Sequence, residues 1–308
     1  MNYVQLYQAI QDYSENTESL FVGNISRFVQ EAEDRIYNSV QIPSLRKNVT
    51  GTLTASNKYL SCPDDYLATY SLAVIDGSGN YTYLLNKDVN FIREAYPNTS
   101  ASNNGLPKYY ALFGSQYSQA NELSFILGPT PDDSYNAELH YFYYPVSIVQ
   151  GAILNIGTIT GGSLYTNGSY SNVPLTGGSG SGATANITIS GQTVTSVTIK
   201  NNGNFYVAGD VLSCSNTYVG GSGSGLVIPV SSVNNTAGTS WLGDNYDPVL
   251  FYGAMREAML FMKGEPDLVK YYEEKYTEAL AQLNRLGSGL ERGDAYRDGQ
   301  YRIGQVKP

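Results

Sequence analysis

The chain has 308 residues, 28 of them tyrosine and 15% charged, with a formal net charge of -9. Such a length admits one large domain or two ordinary ones with a real core, and the acidic balance excludes a broad nucleic-acid-binding face, which needs clustered Lys or Arg. Cys62 and Cys214 lie outside any CxxC pair and read as reduced and at least partly buried, while no apolar run of about 18 residues or secretory leader is expected.

The N-terminus reads as helix. Val4, Leu6, Tyr7 and Ile10 give a short apolar stripe, and a stronger one follows Asn24, a candidate N-cap. Ile25, Phe28, Val29, Ala32, Ile36 and Tyr37 fall on its apolar face, and Pro43 closes the element. The next hundred residues are β-prone: 49–53, 58–61, 71–75, 81–85, 109–113, 122–127 and 137–143 predict strands, with turn signals at Asp76-Gly77 and Gly79-Asn80. In the last of these, Leu139, Tyr141 and Tyr143 alternate with Glu138, His140 and Phe142.

From Gly151 to Thr236 the character changes. This segment holds 16 of the 32 glycines and only two charged residues, Lys200 and Asp210. It reads as a module inserted into a charge-bearing domain, so its ends should lie close together. Gly177-Gly178-Ser179-Gly180-Ser181-Gly182 recurs as Gly220-Gly221-Ser222-Gly223-Ser224-Gly225, and Tyr165-Thr166-Asn167-Gly168 has a looser echo in Tyr206-Val207-Ala208-Gly209. A polar, glycine-punctuated segment of this kind folds as strands. Beyond it, helices are predicted over 247–263 and 267–286, antiparallel across a Gly-Glu-Pro turn, with Gly287 as C-cap. The reading is α+β: a helical-bundle body with an antiparallel β region, plus an inserted all-β module. The last residues, 288–308, have little to bury by themselves.

Catalytic chemistry is sparse. His140 is the one histidine, and no serine or cysteine is marked as its partner. The glycine runs neither end in Gly-Lys-Ser/Thr nor feed a helix, so they read as turns and not phosphate loops. Asp64-Asp65 and Asp132-Asp133 sit beside prolines and read as turn residues. The clustered tyrosines suit protein interfaces, with a carbohydrate-binding surface as another use. No catalytic, cofactor or metal site is expected.

Several segments carry a family resemblance. They are 45–51, 83–94 (Tyr-Leu-Leu-Asn-Lys-Asp-Val-Asn-Phe-Ile-Arg-Glu), 107–111, 125–131, 139–145 (Leu-His-Tyr-Phe-Tyr-Tyr-Pro), 239–244 and the stretch from there to Tyr296-Arg297-Asp298-Gly299. Over 1–150 and 237–308 the chain resembles tailed-phage head-to-tail adaptor (connector) proteins. The resemblance implies a virion structural protein of the neck, assembled in the host cytoplasm: a homo-oligomeric ring, usually a dodecamer, linking the portal to tail or nozzle proteins. DNA would pass through its channel without sequence-specific binding, with no membrane involved. It divides the chain into an adaptor body (1–150 and 237–287), the inserted glycine-rich β module (151–236) and a C-terminal docking tail (288–308). In that tail Arg292, Tyr296, Arg297, Tyr301, Arg302 and Ile303 are the candidate portal contacts. The other readings are a tail or receptor/glycan-binding module, and a phage-associated hydrolase.

Overall fold

The structure, a computed structural model, describes residues 1–40, 42–97, 103–115 and 123–291. They form two compact units, one from Met1–Val40 and Val146–Gly289, the other from residues 42–145. The first unit opens with α1 (Tyr3–Ser14), α2 (Ser19–Val22) and α3 (Ile25–Ser39). A capping box between Asn2 and Gln5 starts α1. Asn24 occupies the predicted N-cap of α3 without a capping bond; its amide donates to the Leu20 carbonyl at 2.7 Å, because α2 runs almost directly into α3. The predicted stripe from Ile25 to Tyr37 is buried.

The second unit contains β1 (Arg46–Thr52), β2 (Tyr59–Ser61), β3 (Tyr66–Ile75), β4 (Tyr81–Tyr83), β5 (Leu85–Asn86), α4 (Val89–Ala95), β6 (Tyr109–Ser115), β7 (Leu123–Gly128) and β8 (Asn136–Tyr143). Two four-stranded sheets form, ordered β1-β8-β3-β4 and β2-β7-β6-β5. Leu53, Leu72, Leu84, Phe125, Leu127 and Leu139 belong to one buried cluster in this unit. Strand β8 alternates as its sequence predicts, with Ala137, Leu139 and Tyr141 in that cluster. Pairing is antiparallel except between β5 and β6, which run parallel. The short α4 was not expected; Asp88 starts it by accepting from the Asn90 N–H at 2.8 Å.

The first unit resumes with β9 (Ala152–Ile156), β10 (Thr160–Tyr165), β11 (Gly168–Thr176), β12 (Ser181–Ser190), β13 (Thr193–Asn204), β14 (Val211–Cys214), α5 (Asn216–Val219) and β15 (Gly221–Asn234). These seven strands make one sheet around its own apolar core, including Ile187, Leu212 and Ile228. Its ends approach each other: the Tyr165 N–H donates to the Gln192 carbonyl at 3.1 Å, and Gly161 lies against Val194. Residues 152 and 234 are paired in β9 and β15, so the segment leaves where it entered.

The weak sequence repeat is a structural one. Gly162 and Gly203 share a left-handed φ (63° and 61°), as do Leu164 and Phe205 (66° and 60°), each just before a buried tyrosine. Tyr165 packs on Gly223 and Tyr206 on Gly180, the fourth residue of the opposite glycine run. A methyl group at either glycine would overlap the tyrosine ring, so each repeat needs glycine where the other repeat's ring lies.

Helices α6 (Trp241–Asn245), α7 (Asp247–Phe261) and α8 (Pro266–Glu291) complete the unit. Gly253 against Tyr276, Arg256 with Glu273 and Tyr246 with Gln282 show α7 and α8 antiparallel, as the turn predicts. Helix α8 does not stop at Gly287 but runs through it to Glu291.

The expected helical-bundle body is not what forms. Strand outweighs helix among the described residues. The apolar stripes forecast helices correctly but not their partners. Helix α1 turns Tyr3 and Tyr7 toward Phe205 at the end of β13, with ring centroids 5.3 and 5.4 Å away. The helices therefore cover a sheet as well as one another.

Candidate functional site

The outer face of the β1-β8-β3-β4 sheet concentrates exposed aromatic and polar groups. Register places Arg46, Asn48 and Thr50 beside Phe142, His140 and Glu138, opposite the core-facing parity of β8. The Arg46 guanidinium lies 3.9 Å from the Tyr70 ring centroid and 4.8 Å from that of Phe142. His140 meets Tyr70 edge-on at 5.0 Å. Farther along, Glu138 accepts from the Asn48 amide at 3.1 Å and the Tyr81 hydroxyl at 3.2 Å, which raises the Tyr81 pKa. Tyr81 stacks on Tyr83, and Tyr70, Tyr81 and Tyr83 remain 50%, 49% and 66% exposed.

Such a face can bury large rings while keeping hydroxyl donors at its rim, the composition of a protein-binding surface. A cation held over a ring contributes about 0.5–1 kcal/mol at an exposed site, so Arg46 favours the observed placement of the Tyr70 ring. His140 sits among aromatics on a sheet face, without a nucleophile bonded to it among the described groups. The parity of Phe142 with His140 was legible, but the stack with Arg46 and Tyr70 was not, since it depends on the long-range register of three strands.

Asp65 holds groups of β1 and β8, whereas Asp132 and Asp133 serve a local turn. Burial draws the Asp65 carboxyl upward, but bonds from the Lys47 ammonium and the Tyr141 hydroxyl outweigh it and hold its pKa below the usual range. Asp132 accepts from the Tyr135 hydroxyl at 2.7 Å, and Asp133 from the Ser134 N–H at 2.7 Å. The first glycine run gives its donors to the protein itself: Asp210 accepts from the Ser179 N–H, the Ser179 hydroxyl and the Val207 N–H at 3.0, 2.7 and 2.9 Å. These bonds lower the Asp210 pKa. An internal carboxylate thus occupies the place a phosphate would take. Both cysteines are free, and burial pushes the Cys62 thiol up to about 12. No group of three or more potential metal-ligating side chains occurs among the described residues.

In the first unit, Glu257 accepts from Arg35 and Arg256 at 2.8 and 2.7 Å, and Arg256 also pairs with Glu273. This network ties α3, α7 and α8 together. Glu33 of α3 is buried and accepts from the Ser147 hydroxyl and the Ile148 N–H. Desolvation raises its pKa to about 7 against the lowering effect of those two bonds. The candidate docking residues Arg292, Tyr296, Arg297, Tyr301, Arg302 and Ile303 lie outside the described residues. Among described residues, no helix is long and apolar enough to cross a membrane.

Compared with known proteins, residues 1–169 match a family model described as SU10 adaptor protein. The match covers more than half of the chain and continues past residue 150 into β9, β10 and the start of β11. No curated protein matches the chain.

Proposed function

Because the chain belongs to the SU10 adaptor protein family, a family of phage adaptors that interact with other head or tail proteins, we propose that it is the ring subunit joining the portal to the tail around the DNA channel. The family match is the observation that carries this reading. An adaptor works by holding surfaces together, which needs binding faces and no catalytic step. The exposed Tyr70-Tyr81-Tyr83 face supplies one such surface. Twelve copies would place this virion protein at the neck, between portal and tail or nozzle proteins, after assembly in the host cytoplasm. The net charge of -9 would keep DNA moving through the channel without adhering to its wall.

The segment 151–236 is read as a β module carried outward by the body, and 288–308 as the portal-docking tail. From residue 285 onward the chain has five positive and three negative side chains, a local +2. Arg292, Arg297 and Arg302 would fork onto acidic or carbonyl groups of the portal, and Tyr296, Tyr301 and Ile303 would anchor between them. Because α8 runs to Glu291, ending the chain after that residue keeps the helix whole. The shortened protein should melt as the intact one does but bind portal rings at least tenfold more weakly, with intact binding weakening modestly in salt. Equal affinity of both forms in a side-by-side titration would remove the docking role.

A further inference from the structure

The chain leaves the first unit after Val40 and returns to it at Val146. The return is held where it begins. Glu33, about two turns before the end of α3, accepts from the Ser147 hydroxyl and from the Ile148 N–H. The Ser147 oxygen in turn accepts from the Val149 N–H at 3.2 Å. One carboxyl on the helix that precedes the exit therefore fixes three consecutive residues of the re-entry. From the other side, the Asn235 amide donates to the Ser147 carbonyl at 2.8 Å.

These same residues cover the carboxyl. Glu33 is 2% exposed, and Ile148 and Val149 are fully buried. Of the elements packed against α3, α1 brings Tyr3 and Tyr7, whose hydroxyls burial pushes up and so keeps neutral. On α7, Arg256 and Glu257 belong to the network with Arg35 and Glu273, and Lys200 of β13 is exposed. Asp34, beside Glu33 on α3, is of the same sign. Among the described residues, an ionised Glu33 thus has two donors and no bonded counter-charge. Burying such a charge is costly, and the residues against its oxygens are the ones that must move for water to reach it.

We propose that Glu33 is a pH-sensitive latch on the re-entry segment: neutral, it holds Ser147 to Val149 against α3, and ionised, it favours a local opening in which this segment lifts and the carboxylate meets water. Burial raises the pKa of the closed form to about 7, against the two bonds and with Asp34 adding to the rise. In the opened segment the group returns to the ordinary carboxylate range. The closed form is favoured in full below that range, and the advantage fades as pH rises through 7. Burial of Ile148 and Val149 opposes opening at every pH, so the opened form stays a minor one.

Amide exchange of the full-length chain, corrected for the intrinsic rate at each pH, reads this opening. At Ile148 and Val149 the corrected rate should rise about tenfold between pH 6 and pH 8. Low denaturant should leave it unchanged, because the opening exposes far less surface than unfolding. Glu33→Gln should abolish the rise. Ser147→Ala removes a bond that lowers the Glu33 pKa, so the rise at Ile148 should begin at a higher pH. A flat profile in the parent, or the same tenfold rise in Glu33→Gln, overturns the latch. So does exchange at Ile148 that accelerates with denaturant as steeply as that of the buried Ala254 and Met255 in α7.

Discussion

At Glu33 the structure buries a carboxyl with two donors and, among the described residues, no cation bonded to it. Desolvation raises its pKa to about 7, with Ser147 and Ile148 opposing and Asp34 adding to the rise. In the unfolded chain the group ionises in the ordinary carboxylate range, so the folded form holds its proton longer. Stability is full below that range and declines as pH rises toward 7, by roughly 3 kcal/mol for a shift of this size. Glu33→Gln keeps groups able to bond Ser147 and Ile148 but cannot ionise. Its melting temperature should exceed the parent's at pH 8 and match it near pH 4; parallel pH profiles for the two proteins would show that Glu33 ionises normally. At Gly223, an added methyl overlaps the buried Tyr165 ring. Gly223→Ala should cost about 1–3 kcal/mol, whereas Gly51→Ala, facing open space, should leave thermal unfolding within error of the parent. Similar melting shifts for both would contradict the packing derived for the module.

Helix α1, besides packing on α7, meets a distant part of the chain. The Tyr3 hydroxyl accepts from the buried Asn204 amide at 2.8 Å, and Phe205 lies against Tyr3 and Tyr7. Helices α3, α7 and α8 instead share the Arg35-Glu257-Arg256-Glu273 network. Deleting 151–236 and joining the flanks with a short linker should preserve a cooperative transition for α3, α7 and α8, while amides of α1 lose hydrogen-exchange protection. Global unfolding, read by circular dichroism, would end the idea of a separable module. The stripe of α3 and the alternation of β8 were legible because 3.6- and 2-residue periods are local properties. Asn24 stands at the N-cap where it was expected, but its side chain bonds Leu20 instead of capping, because of α2, whose four residues carry too little periodicity to announce themselves. Helix α8 passes Gly287 because glycine permits a C-cap without enforcing one.

For the whole molecule, the helical-bundle reading failed because apolar stripes state that a face is buried but not against what. Tyr3 and Tyr7 meet β13 only once residues some 200 positions apart come together. The candidate protein-binding face was partly legible: Glu138, His140 and Phe142 were placed together by parity, while Arg46 and Tyr70 join them only through pairing across β1, β8 and β3. The adaptor family was read from short segments over 1–150 and 237–308, and the match over residues 1–169 supports it for the first of these stretches. The central claim, a ring of like subunits on the portal, is tested most directly by native mass spectrometry of the full-length chain with its portal at saturating adaptor. The account predicts one closed set of adaptors, twelve on a twelve-subunit portal, with no stable partial occupancy. A saturated complex holding only one or two copies per portal ring, or no complex at all, would contradict it.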